Sequence, residues 1–357
     1  MRTTFPALTA LRGLAAWWVV VYHFREQLNL SGLPLLQTLA GHGYLAVDLF
    51  FIMSGFVIAL NYAGDLRHLS ALAVLRFLGF RLARIYPLHL VILVAFLANP
   101  LAIHLFSRSG TTGDRYDPGY FLQSLFLIQN WGFSSDTAWN IPAWSISTEW
   151  GAYLIFPLLA WCLGRVASPA RALVALLVAL IFVMGLGYLA GGLGNAIAHG
   201  GLLRCLMEFT LGAAIFQLHA LAGHHLPKGT LMVAVGLVLL LAGMALHWPD
   251  YNFAPLAMLL VITGLLDGRG LVARALAHKS LLYVGEISYS TYLVHYLVKD
   301  WSKLILVSDG IPPVAVFAAY IGFTAAASVA LYRFVELPGR RLGRERVQTW
   351  LTRRQVA

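Results

Sequence analysis

The sequence predicts an all-α, polytopic membrane protein with about ten transmembrane helices and both termini on the cytoplasmic side. Three observations carry that expectation. The 357 residues are 59% hydrophobic and only 11% charged, with a mean hydropathy of +0.75, far less charge than a water-soluble chain of this length exposes. Apolar runs long enough to cross a bilayer recur along the whole chain. Lys and Arg crowd into alternate connections, the bias that orients membrane helices.

In chain order the runs cover residues 8–24, 44–62, 87–106, 144–163, 170–190, 202–220, 229–247, 252–267, 280–299 and 313–335. The segment 119–131 is too short to span and is expected to be interfacial or re-entrant, because a crossing there would move Arg165 and Arg171 outside. With ten spans the inner connections hold Arg2, Arg67, Arg76, Arg81, Arg84, Arg165, Arg171, Lys228, Arg269, Arg274 and Lys279. The outer ones hold only Arg25, Arg108, Arg115, Arg204, Lys299 and Lys303. Residues 1–340 read as one membrane domain. Residues 341–357 read as a basic cytoplasmic tail suited to anionic lipid, with Arg341, Arg344, Arg346, Arg353 and Arg354 following Arg340. The first run lacks a small-residue cleavage pattern and is read as an uncleaved span.

The formal charge of +10 is explained by this topology and by contact with membrane lipids, not by nucleic acid. Cys162 and Cys205 lie in apolar runs and imply neither a disulfide framework nor a metal site. No Gly-rich phosphate loop of Walker type and no zinc motif occurs, and His219, His224 and His225 read as polar loop residues. No metal is expected.

Function is expected where polar residues interrupt the spans, since intramembrane ionisable groups face the interior or a water-filled cavity. Arg12 and His23 in the first span are 11 positions apart, near three helical turns, so they share a face and are offset by about 16 Å. Arg12 is then near the inner surface and His23 near the outer one. Asp48 in the second span and Glu149 in the fourth fall at the outer end, and Ser288, Tyr292 and His295 line one face of the ninth. One polar chamber in the outer half is the expectation. Taken singly, each acid is equally compatible with structural pairing, and Arg204 and Glu208 are spaced i, i+4 to pair with each other. Arg81 and Arg84, at i, i+3 beside the inner surface before Pro87 opens the third span, suit a phosphate-rich ligand as well as a topological anchor. Trp144 belongs to a set of aromatics before the fourth span (Tyr116, Tyr120, Phe121, Trp131, Phe133, Trp139) that suit either sugar stacking or an interfacial belt.

Five motifs occur in order: LRGLAAWWVVVYHF with its Arg-x10-His spacing, GYLAVDLFFIMSGFVI, FRLARIYP, WSISTEWGAYLIFP and ISYSTYLVH. Together, over roughly residues 5 to 340, the chain resembles acyltransferase family three, the bacterial integral-membrane O-acyltransferases. The resemblance implies a multi-pass protein of the bacterial cytoplasmic membrane. It implies that acetyl-CoA or another short acyl-CoA binds from the cytoplasm. It further implies transfer of the acyl group to a hydroxyl of an extracytoplasmic or lipid-linked glycan, or of a glycosylated small molecule. It makes Arg12 and His23 the essential first-span pair, assigns Arg81 and Arg84 to the CoA phosphates, and puts Asp48, Glu149, Ser288, Tyr292 and His295 in recurrent motifs. Many relatives append an esterase-like domain, so a chain stopping at Ala357 is expected to be the stand-alone form. The fourth-span motif often carries two acids in succession, whereas here Trp150 follows Glu149.

On this reading a neutral His23 takes the acceptor's proton, with Asp48 or Glu149 orienting its ring. An acyl-histidine intermediate is the alternative route. A proton-coupled transporter or flippase using the same buried ionisable groups is the competing class, disfavoured by the lack of an inverted repeat and by the paired inner arginines.

Overall fold

The computed structural model describes residues 5–28, 30, 32–106, 114–195, 197–223, 229–268, 270–307 and 310–356. Arg2, Arg108, His224, His225, Lys228 and Arg269 lie outside the described residues, as does the side chain of Arg354. The chain forms α1 (Pro6–Phe24), α2 (Pro34–Gly41), α3 (Ala46–Leu66), α4 (Ala71–Ala95), α5 (Ala98–Phe106), α6 (Pro118–Leu125), α7 (Trp144–Leu163) and α8 (Pro169–Ala190). It continues with α9 (Gly201–Ala222), α10 (Gly229–Ala245), α11 (Asp250–Leu265), α12 (Leu271–Leu276), α13 (Lys279–Glu286), α14 (Ser288–Leu306), α15 (Pro313–Leu331) and α16 (Leu337–Val356). No strand occurs among the described residues.

Among the described residues, seven helical segments are long and apolar enough to cross a membrane: Pro6–Gln27, Pro34–Leu66, Ala71–Leu105, Ile141–Leu163, Pro169–Ala190, Gly201–Ala222 and Pro313–Arg353. Helices α10 and α11 are apolar but have 17 and 16 residues, about 25 Å at 1.5 Å per residue, a little short of a hydrocarbon core. The run 280–299 is not one helix. It breaks at Ile287 between α13 and α14, and α14 turns Ser288, Ser290, Thr291, His295 and Lys299 inward, which lowers its hydropathy.

The lipid-facing surface is legible in α8. Val174, Leu177, Val178, Ile181, Phe182 and Leu189 are exposed there at helical spacing, a pattern that only a hydrocarbon solvent favours. Lipid gives helices no hydrophobic reason to associate, so close packing does it instead. Helices α3 and α9 meet backbone to backbone: a Cβ at Gly55 would collide with the carbonyl of Phe209, and one at Gly212 with the carbonyl of Ile52.

One boundary differs from expectation. The third span does not open at Pro87; α4 starts at Ala71 and runs through Pro87, so Arg81 and Arg84 lie in mid-helix rather than at an entrance. Packing on α16 supports this course, with Gly339 against Pro87, Gly343 against Ala83 and Gly79 against Val347. The basic segment 341–357 is helical through Val356 and lies along α4. Within 119–131, α6 has eight residues, about 12 Å, and then turns back through Leu127 at φ 58°. It does not cross.

Candidate active site

Helices α1 and α14 run side by side in the same direction, which brings two matched pairs together. Where α14 begins, two turns into α1, the Arg12 Nε donates to Ser288 Oγ at 3.1 Å and a terminal nitrogen donates to the Gly285 carbonyl at 3.2 Å. That carbonyl belongs to the last turn of α13, the negative end of the helix dipole, so Arg12 also caps a helix end. At the end of α1 and about two turns into α14, His23 Nδ1 is 3.2 Å from His295 Nε2 and 3.0 Å from the Val19 carbonyl.

These contacts select the tautomers. His295 Nδ1 is 2.7 Å from the Tyr292 carbonyl, so it carries a proton and its Nε2 is an acceptor. His23 Nδ1 must then donate to His295 and Val19. Among the described residues no donor meets the lone pair of His23 Nε2, on a ring that lines a cavity of about 770 Å³ with Trp144, Arg204, Tyr292, Tyr296 and Lys299. Tyr22 and Tyr296 pack edge-on against the imidazole, at centroid distances of 5.0 and 5.3 Å.

The orienting partner is therefore His295. Asp48 is instead paired with Arg204, its Oδ1 2.6 and 2.8 Å from two guanidinium nitrogens, and Glu208 approaches the same guanidinium at 3.6 Å. All three are buried. Trp144 sits against this cluster, with Arg204 over its ring at 5.6 Å. Glu149 faces away from His23, accepting from Ser54 at 2.5 Å and from Tyr153 at 2.6 Å.

Glu149 lines a second cavity of about 370 Å³, together with Arg12, Arg81, Arg84, Ser288 and Tyr292. The single chamber expected from the sequence is thus two, and Tyr292 lines both. Its hydroxyl donates to the Pro142 carbonyl at 3.0 Å and touches Ser145 Oγ at 2.8 Å, which ties α14 to the start of α7 between the cavities. In the smaller cavity Arg81 donates to the Tyr62 hydroxyl at 2.8 Å, while its buried Nε has no hydrogen-bond partner. Arg84 lies over Tyr289 and is ion-paired with Glu336.

Three guanidinium groups converge with a histidine three turns away, and the comparisons agree with the motifs that arrange them. The family model of the acyltransferase domain, acyltransferase family three, matches residues 5–333. The chain belongs to this family. O-acetyltransferase OatA of Staphylococcus aureus (strain NCTC 8325 / PS 47) is 26% identical over 95% of this chain, which spans 57% of that relative's length. Acyltransferase MdmB of Streptomyces mycarofaciens is 30% identical over 82% of this chain and 78% of its own. No solved structure matches.

In this acyltransferase-family chain, two site residues escaped the reading of the sequence. Glu336 ends a single π-helical turn, Tyr332–Glu336, whose wider winding accompanies its inward position; its second oxygen accepts from Ser290 at 2.7 Å. The signal was an acid at the end of the last apolar run, just before the arginines that close the chain. Lys299, counted as an outer-loop charge, is buried in the larger cavity's wall. Its spacing of i+4 from His295 was the available clue. Among the described residues no group of three His, Cys, Asp or Glu side chains is placed to hold a metal.

Proposed function

We propose that this chain is a membrane O-acyltransferase that moves an acetyl or other short acyl group from cytoplasmic acyl-CoA to a hydroxyl of an extracytoplasmic or lipid-linked saccharide. The free Nε2 of His23, opposite a donor pocket lined with arginine, is the observation that carries this reading. Arg12, Arg81 and Arg84 hold the phosphates, and the unpartnered Arg81 Nε supplies a ready donor. Both termini face the cytoplasm of a bacterium, so the smaller cavity opens inward and the larger one outward. Residues 341–357 lie at the inner surface.

His23 Nε2 accepts the proton of the acceptor hydroxyl as that oxygen attacks the thioester carbon, and it returns the proton to the departing thiolate. His295 holds the reactive tautomer through this exchange. Tyr292, on the boundary between cavities, borders the route along which the pantetheine arm covers the offset of about 16 Å from Arg12 to His23. Asp48 acts through Arg204 on the acceptor side, with Trp144 as a stacking surface for a sugar, and Glu149 belongs to the donor side.

Oriented proteoliposomes test this function, with acetyl-CoA supplied to one face and a membrane-impermeant saccharide to the other. Transfer is expected only with donor at the cytoplasmic face and acceptor opposite, and His23→Gln should lower it on the order of 100-fold or more while acyl-CoA still binds. Transfer at near wild-type rate in His23→Gln, or only with both substrates on one face, would refute the assignment.

A further inference from the structure

Among the described residues, a buried ammonium group in the larger cavity has no carboxylate within ion-pair distance. Lys299 lines that cavity with 9% of its surface exposed, and its Nζ lies 3.5 Å from the centre of the Tyr296 ring. Among the described residues no carboxylate forms an ion pair with it. The adjacent acid, Asp300, is taken by Arg115 and by Asn99. A buried charge without a partner is costly, and a cation–π contact offsets only part of that cost.

Other charges on this wall do not cancel it. Lys303, one turn beyond Lys299, and Arg25 line the same cavity; Arg25 is held at 2.7 Å by the Tyr22 carbonyl. Of the lining carboxylates, Glu26 is exposed at the mouth, while Asp250 accepts from the Tyr44 hydroxyl at 2.8 Å and from the Leu193 N–H. Arg204 is matched by Asp48 and Glu208. Arg25, Lys299 and Lys303 are thus three cations on one wall that no carboxylate among the described residues meets at ion-pair distance, and they lie beside His23.

We propose that Lys299, flanked by Arg25 and Lys303, is an anion subsite, and that the acceptor is a saccharide bearing a carboxylate or phosphate next to the hydroxyl that meets His23. Lys299 is one turn beyond His295, about 6 Å along the axis, which is about the breadth of one sugar ring. The identity of the reacting hydroxyl rests on the acyl-transfer reading above; the anion site is a binding property separable from it.

Calorimetric titration of the full chain in neutral detergent decides this with three probes: p-nitrophenyl β-glucoside, p-nitrophenyl β-glucuronide, and p-nitrophenyl β-glucoside 6-phosphate. At low salt at least one charged probe should bind on the order of tenfold more tightly than the neutral one, the preference shrinking as salt rises. The stronger of the two charged probes tells an acidic sugar from a phosphate-linked one. Lys299→Met should bring the ratio near one, and Lys299→Arg should keep it. Equal affinities in the wild type, or a preference that survives Lys299→Met, would overturn the subsite. Should Lys299→Met not fold, Lys303→Met takes its place: a preference reduced about threefold supports the subsite, and an unchanged one overturns it. Acetyl-CoA titrated into the same samples reads the donor pocket independently, so failure of that binding with the anion preference intact refutes acyl transfer alone.

Discussion

Replacing Glu336 by Gln should destabilise the fold through Arg84. The carboxylate is fully buried, while 19% of the Arg84 side chain is exposed, and the second carboxylate oxygen is bonded to the buried Ser290. Removing one partner of such a pair leaves a buried charge uncompensated, at a cost of about 3–5 kcal/mol. The amide keeps an acceptor for Arg84 and can reverse the bond to Ser290, so the expectation is the low end, about 3 kcal/mol. Removing both charges, as Arg84→Met with Glu336→Leu, should cost less than the sum of the single changes, because neither charge is then stranded. Reversible unfolding in mixed micelles, followed by the far-ultraviolet helical signal, measures all four corners of this cycle. A coupling on the order of 2–3 kcal/mol is expected. Additivity within about 0.5 kcal/mol would show that the pair is energetically idle and that Arg84 needs no partner.

Two further outcomes follow from the same packing. Changing Arg81 and Arg84 together to Ala should weaken acetyl-CoA binding in calorimetry by at least tenfold, and the double Lys variant should recover only part, since an ammonium lacks the guanidinium fork; unchanged affinity would make both arginines structural. Gly212→Ala should destabilise the protein by about 1–3 kcal/mol, because its methyl group collides with the Ile52 backbone and not with a movable side chain; an unchanged unfolding midpoint would refute the close α3–α9 contact.

Much of this was legible in the residues alone. Hydrocarbon demands long apolar helices and tolerates few charges, so composition and run length suffice for an all-helical membrane chain, and the three-turn interval from Arg12 to His23 survives as the offset between the two cavities. Five ordered motifs were enough to place the chain in its family. What a lone helix cannot specify is which neighbour its polar face meets. Depth alone put Asp48 and Glu149 with His23, yet Arg204 engages one and Ser54 and Tyr153 engage the other, because rotation about the α3 and α7 axes is set by close packing on other helices. Position 87 looked like an entrance because proline usually opens a helix, but α4 continues through it and Gly339 of α16 packs directly on its ring. Glu336 and Lys299 were invisible as site residues for the same reason. A charge near the end of a span reads as a topological anchor until tertiary contacts bury it, and burial is what turns Glu336 into the partner of Arg84 and leaves Lys299 facing His23's cavity without one.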